Sequence, residues 1–179
     1  MATRELLLDP TGMDAGLQNS TLSPRPVSLK GLRIGLLDNT KPNSTLLLTE
    51  IAAMLQEQHG AGESRMYTKD YFGTPVKDEL LQQIVQESDI VITAVGDCGS
   101  CSAATVADGI LFERAGTPTV AITSDSFLLS GAAMASVQGF PGFDFHAVRH
   151  PMASLNAAEV RERAEAALPE VLRILGVEG

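Results

Sequence analysis

The segment Asp89-Ile90-Val91-Ile92-Thr93-Ala94-Val95 constrains the fold more than any other stretch of the chain. It is β-branched or apolar at nearly every position, so neither face suits water. A strand with two apolar faces belongs in the middle of a parallel sheet covered on both sides. Similar short runs recur along the chain and alternate with longer amphipathic stretches. Residues 33–37 read as a first strand, and Ser44–His59 as a helix with Leu47, Ile51, Met54 and Leu55 on one face. A weaker strand, Ser64–Thr68, precedes a helix over 76–87 whose stripe is Leu80, Leu81, Ile84 and Val85. After the central strand come a helix over 102–115 ended by Gly116, a strand over 117–122, a helix over 126–137 and a last strand over 143–148. A long amphipathic helix over 156–175 closes the pattern, and Pro169 within it predicts a kink or break near Leu168.

Strands separated by helices imply right-handed βαβ units. The expected fold is α/β, an open, doubly wound parallel five-stranded sheet in the flavodoxin-like order 2-1-3-4-5. In that order the first and third strands are neighbours, and a crevice opens at their carboxyl ends, where ligands bind. The expected organisation is a single α/β domain over 32–179 preceded by an extended N-terminal arm over 1–31. The arm contains Asp9-Pro10-Thr11-Gly12, Asn19-Ser20-Thr21 and Ser23-Pro24-Arg25-Pro26, all of which favour turns or extended chain. Leu6, Leu7 and Leu8 are poorly left in water and could anchor the arm on a neighbouring subunit, which predicts a homo-oligomer or a partner subunit.

The 179 residues are 44% hydrophobic, enough for a real core, which excludes wholesale disorder. With 13 Lys and Arg against 22 Asp and Glu, the net charge of −9 leaves no basic stripe for phosphates, so no nucleic-acid partner is expected. Apolar runs such as Leu6-Leu7-Leu8 and Leu46-Leu47-Leu48 fall far short of the roughly 20 residues that span a bilayer. Glu5 interrupts the opening apolar run and argues against a signal peptide, so the expectation is a cytoplasmic protein with no membrane partner.

The only two cysteines, Cys98 and Cys101, lie three positions apart in Gly96-Asp97-Cys98-Gly99-Ser100-Cys101, directly after the central strand. The first strand is followed by Asp38-Asn39-Thr40-Lys41-Pro42-Asn43, so both loops meet at the expected crevice. A Cys-x-x-Cys at a helix start has a physical logic. Free backbone N–H groups and the helix dipole favour a thiolate at Cys98, and Cys101 lies near enough to displace a sulfur-bound intermediate from it as a disulfide. Gly99 lets the backbone turn tightly, and Ser100 can donate to an anion or thiolate. Two alternatives stand beside this reading. The cysteines could be buried apolar residues, or they could ligate zinc together with His59, His146, His150 or a carboxylate, although no second ligand pair is present at the right spacing. No metal and no cofactor is expected.

Asp97 could act as a base, orient a substrate amine or cap the following helix. Its charge opposes a neighbouring thiolate, and Lys41 is the candidate cation to offset it. Asn39, Lys41 and Asn43 together could hold a carboxylate or carbonyl of a small polar substrate, with Asn43 alternatively an N-cap. At the same rim, Ser124 follows the fourth strand and His150-Pro151 the fifth, where His150 could shuttle a proton. His59 suits a helix C-terminus, and His146 lies inside a strand. Candidate catalytic residues are thus Cys98, Cys101, Asp97 and His150. Candidate substrate-binding residues are Asn39, Lys41, Asn43, Gly99, Ser100 and Ser124.

Cys98-Gly99-Ser100-Cys101 resembles the motif of the UGSC family, named for selenocysteine-Gly-Ser-Cys and carrying cysteine first in many members, as here. Further similar segments are Leu7-Leu8-Asp9-Pro10-Thr11-Gly12, the strand and loop over 31–43, Val95-Gly96-Asp97, Gly116-Thr117-Pro118-Thr119-Val120 and His150-Pro151. Ser124-Asp125-Ser126 departs from the Thr-Glu-Pro type expected after the fourth strand. The resemblance implies a redox-capable or nucleophilic sulfur at Cys98 with Cys101 as its partner, and a site built on the Asn39-Lys41-Asn43 loop. It does not specify a reaction. The expected function is a small-molecule enzyme using Cys98 as redox thiol or covalent nucleophile. A cofactor-independent racemase, lyase or hydrolase using the same thiolate is one alternative, and a redox-sensing or regulatory subunit is another.

Overall fold

The computed structural model describes residues 20–177. The sheet has five strands in the order β2-β1-β3-β4-β5, and every neighbouring pair is parallel. The strands are β1 (Ile34–Asp38), β2 (Ser64–Thr68), β3 (Ile90–Gly96), β4 (Thr119–Ser124) and β5 (His146–Val148). The helices between and after them are α1 (Ser44–His59), α2 (Asp78–Glu87), α3 (Gly99–Arg114), α4 (Leu128–Val137) and α5 (Ala157–Leu175). The open, doubly wound, flavodoxin-like α/β fold expected from the strand pattern is the one present.

β3 is buried along its whole length. Its side chains alternate between two cores, as the period of a strand requires. Ile90 and Ile92 pack with Leu47, Ile51 and Leu55 of α1 and Val160, Ala164 and Val171 of α5. Val91 turns to the opposite face, against Ile84 of α2 and Phe112 of α3. A third cluster joins Val106 and Ile110 of α3 to Ala135 of α4, Phe140 and Phe143.

Several boundaries differ from the sequence reading for identifiable reasons. β5 is only three residues long because Phe143 leaves the sheet and packs edge-on against Phe140, their ring centroids 5.3 Å apart. A single 3-10 turn over Asp125–Phe127 precedes α4. α5 runs through Pro169 without a break. That proline is exposed, as is Glu165 one turn before it, so the carbonyl deprived of an N–H donor lies on the wet side of the helix. Asn156 caps α5 in a capping box with Glu159, its side chain accepting from Ala158 N and Glu159 N.

Leu6, Leu7 and Leu8 of the arm lie outside the described residues. Its last residues are held against the body. Leu29 is buried in the α1/α5 core, and Lys30 forms an antiparallel bridge with Ala61. Glu113, buried at the end of α3, accepts from Ser23 N at 2.7 Å, Arg25 Nη1 at 2.7 Å and Thr119 N at 2.8 Å. One carboxylate thereby ties the arm to the entrance of β4.

Candidate functional site

β1 and β3 pair in parallel with Asp38 opposite Ala94, so the loops after them leave the same edge of the sheet side by side. The contact is direct, because Asn39 N donates to Ala94 O at 3.1 Å and Asn39 Nδ2 to Val95 O at 2.8 Å. Gly96 then ends β3 under α3. A Cβ there would stand 2.6 Å from Ser102 Cα, so only glycine permits this approach of the helix to the strand end. The Gly96 carbonyl accepts the hydroxyls of both Ser102, at 2.9 Å, and Ser124, at 3.2 Å.

α3 starts at Gly99, three residues earlier than the sequence pattern suggests, and this decides the geometry of the cysteines. Cys98 is the N-cap residue, and its Sγ accepts from Cys101 N at 3.3 Å. Cys98 is half-exposed, whereas Cys101, in the first turn, is fully buried. The two are joined as a disulfide, with 5.2 Å between their Cα atoms. Ser100 Oγ lies 3.6 Å from Cys98 Sγ. Gly99 is helical with no positive φ, so the turn does not need a glycine there.

Asp97 does not cap α3. Its side chain is 4% exposed, and it accepts from His150 Nδ1 at 2.9 Å, Met152 N at 3.0 Å and Ala153 N at 2.9 Å. The donors beside this carboxylate thus come from the loop between β5 and α5. The Lys41 ammonium lies 3.9 Å over the centroid of the Phe72 ring instead. His150 is held from three further directions: its backbone N donates to Asp125 Oδ1 at 3.1 Å, Phe127 packs edge-on with ring centroids 5.4 Å apart, and Ser124 Oγ is 3.3 Å from Nδ1.

These partners assign the tautomer. An ionised carboxylate only accepts, and Ser124 Oγ commits its one proton to the Gly96 carbonyl, so the ring proton belongs on Nδ1. In the neutral imidazole Nε2 is then the free base. The expected result is an Nδ1–H signature for His150 in nitrogen NMR, inverted to Nε2–H in Asp97→Asn, whose amide can donate to Nδ1. An Nε2–H ring in the unmodified protein would overturn the assignment.

Asn39 and Asn43 are brought to the rim, but their donors are spent on the fold. Asn39 Nδ2 donates to Val95 O and to Thr105 Oγ1 at 3.3 Å. Asn43 Nδ2 donates to Met152 O at 2.8 Å and Leu155 O at 2.9 Å. Asn43 occupies the N-cap position of α1 with φ 68° and makes no side-chain cap. The two asparagines tie the loop after β1 to β3, α3 and the loop after β5.

Residues without an assigned role in the sequence reading complete the site. Asp38, 6% exposed, accepts from Thr40 N at 2.8 Å and Thr45 Oγ1 at 2.6 Å. Asp108 on α3 is fully buried and accepts from Lys69 Nζ and Val76 N, both at 2.6 Å, so it holds both ends of the loop between β2 and α2. Burial pushes its carboxyl up to about 6, against the opposing pull of Lys69. Lys69, Tyr71, Thr74 and Leu80 help line a cavity of about 300 Å³ in that loop. The signal for Asp108 was an acid among the apolar positions of a buried helix. His59 lies in the last turn of α1, and His146 on β5 is half-buried, with burial lowering its pKa below the ordinary imidazole value.

Among the described residues no three His, Cys, Asp or Glu side chains gather into a group that could hold a metal ion. No helix there is long and apolar enough to cross a membrane. No curated protein gives a significant match to the chain. The sequence profile of the UGSC family does match, over residues 6–177. That span takes in every strand, every helix and the whole Cys98–Asp97–His150 rim, and the chain therefore belongs to the UGSC family.

Proposed function

We propose that this protein is a small-molecule enzyme in which Cys98 is the attacking thiolate of a thiol-disulfide cycle and Cys101 its resolving partner. The observation that carries this reading is the asymmetry of the pair: a half-exposed sulfur at the helix N-cap, bonded to a fully buried one a single turn along. N–H donation and the helix dipole favour negative charge on Cys98. The three donors on Asp97 soften the repulsion from the adjacent carboxylate.

In the cycle the Cys98 thiolate attacks one sulfur of a small disulfide, forming a mixed disulfide and releasing the other half as a thiolate. Cys101, deprotonated, then attacks Cys98 Sγ, which closes the intramolecular disulfide and expels the second half. An external dithiol returns the pair to the reduced state. His150 Nε2 is suited to carry the proton removed from the attacking thiol to the departing thiolate, with Asp97 orienting the ring.

The Asp97–His150 pair also favours a second reading. A thiolate next in sequence to the carboxylate that orients this imidazole suits covalent addition at an electrophilic carbon, as a racemase, lyase or hydrolase requires, and needs only Cys98. Serine variants separate the two. With a small organic disulfide as probe, Cys101→Ser is expected to accumulate the mixed disulfide on Cys98, read as an added mass. The unmodified protein should pass on to the internal disulfide, and Cys98→Ser should stay inert. No adduct in Cys101→Ser would remove the thiol cycle. Reactivity confined to carbon electrophiles at Cys98 would favour the second reading, and a pair that merely oxidises and reduces without turnover would favour a regulatory subunit.

A further inference from the structure

Three of the six large apolar side chains exposed among the described residues, Leu128, Leu129 and Val137, belong to the ten-residue helix α4. Leu129 is 86% exposed and Val137 64%. The inner face of α4 is satisfied: Gly131 and Ala135 are buried, and a Cβ on Gly131 would stand 2.7 Å from Phe145 Cζ and 3.0 Å from Val106 Cγ2. The outer face carries Leu129, Ala132, Ala133, Ser136 and Val137, all exposed. Their spacing of i, i+3, i+4, i+7, i+8 forms one stripe along the helix, the pattern of a seam between packed helices.

The charge distribution indicates what covers this stripe. The 18 residues 126–143 contain no charged side chain, the longest such run in a chain of net charge −9. Two copies of an acidic molecule repel unless they meet where neither carries charge. A partner chosen for its opposite charge, or an anionic membrane surface, would call for charged residues that this face lacks. The stripe is also self-complementary. Leu129 and Val137 stand about 12 Å apart along the axis, with the small residues Ala132, Ala133 and Ser136 between them.

We propose that the outer face of α4 pairs with the same face of a second copy of this chain, antiparallel about a two-fold axis through Ala133. Leu129 of each copy then packs on Val137 of the other, and the alanines let the backbones approach. Such a contact is isologous, so it closes at two copies. It also borders the candidate site, because the turn that begins α4 supplies Asp125 and Phe127 to His150.

Sedimentation velocity of the full chain from about 1 to about 300 µM should show a monomer–dimer equilibrium, in keeping with a small helix-on-helix contact. Leu129→Glu places an unpaired charge in the seam twice and should weaken association by at least about 100-fold, with an unchanged circular dichroism spectrum. As a check independent of that variant's folding, Ala133→Cys in a Cys98→Ser, Cys101→Ser background should form a disulfide-linked dimer under mild oxidation far faster than Glu162→Cys, on the exposed side of α5, in the same background. A chain that stays monomeric throughout the range overturns the proposal. So does a dimer that survives Leu129→Glu, or equal cross-linking at the two cysteine positions, since either moves the interface elsewhere. Each readout is independent of the chemistry at Cys98.

Discussion

Alkylation of the reduced protein with iodoacetamide at pH 7 is expected to label Cys98 on the order of 100-fold faster than Cys101. Two effects multiply. At the N-cap, Cys98 Sγ accepts the Cys101 N–H and sits at the positive end of α3, which favours the reactive thiolate over the thiol. The pH of half-maximal labelling should therefore fall below the about 8.5 of a free cysteine. Access supplies the second effect. Cys98 is half-exposed, whereas Cys101 is buried in the first turn and meets the reagent only when the helix start opens. Peptide mapping of the labelled chain reads both rates at once. Comparable labelling of the two cysteines would mean that the N-cap geometry does not govern their chemistry. Lys41→Met should leave the pattern nearly unchanged, because the Lys41 ammonium lies over Phe72 while the donors on Asp97 come from His150, Met152 and Ala153.

The second large effect concerns the buried pair Lys69–Asp108. Asp108→Asn is expected to cost about 3–5 kcal/mol of stability, because it leaves the Lys69 ammonium, 3% exposed, without its counter-charge. The asparagine oxygen can still accept from Val76 N, so the loss reports the charge and not the backbone bond. Lys69→Met combined with Asp108→Asn should recover more than half of it, since replacing both members removes the stranded charge. Urea unfolding of the three variants beside the unmodified chain measures this. A loss below about 1 kcal/mol for Asp108→Asn would show that water or another group reaches Lys69.

The strand order could be read from the chain because burial on both faces leaves a local signature. Asp89 to Val95 has no polar alternation, and helices of amphipathic spacing stand on either side of it. Parallel strands joined by helices then leave few topologies, and one of these brings the loops of β1 and β3 together. Where local pattern and tertiary packing compete, the pattern lost. Phe143 has strand character but is drawn into the cluster with Phe140, Val106 and Ala135. Pro169 has breaker character, but the carbonyl it orphans faces water. Residues 99–101 read as loop because Gly, Ser and Cys are weak helix formers, yet Gly96 lets α3 approach β3 and the helix starts at Gly99.

By itself the sequence determined which residue types reach the rim: two cysteines, an aspartate, a histidine, two asparagines and a lysine, each placed at a strand end by the period of the chain. Only the tertiary structure decided what each does there. The side-chain donors of Asn39 and Asn43 go to loop and strand carbonyls. Asp97 turns from the helix start to His150 and the backbone beyond it, and Lys41 turns to Phe72. Asp108 finds a lysine 39 residues away. Hydrophobic periodicity is local and repeats along the chain, so it survives in one dimension. A polar side chain's partner is chosen by direction and distance over a few ångströms between segments far apart in sequence, and no spacing within a single element encodes that.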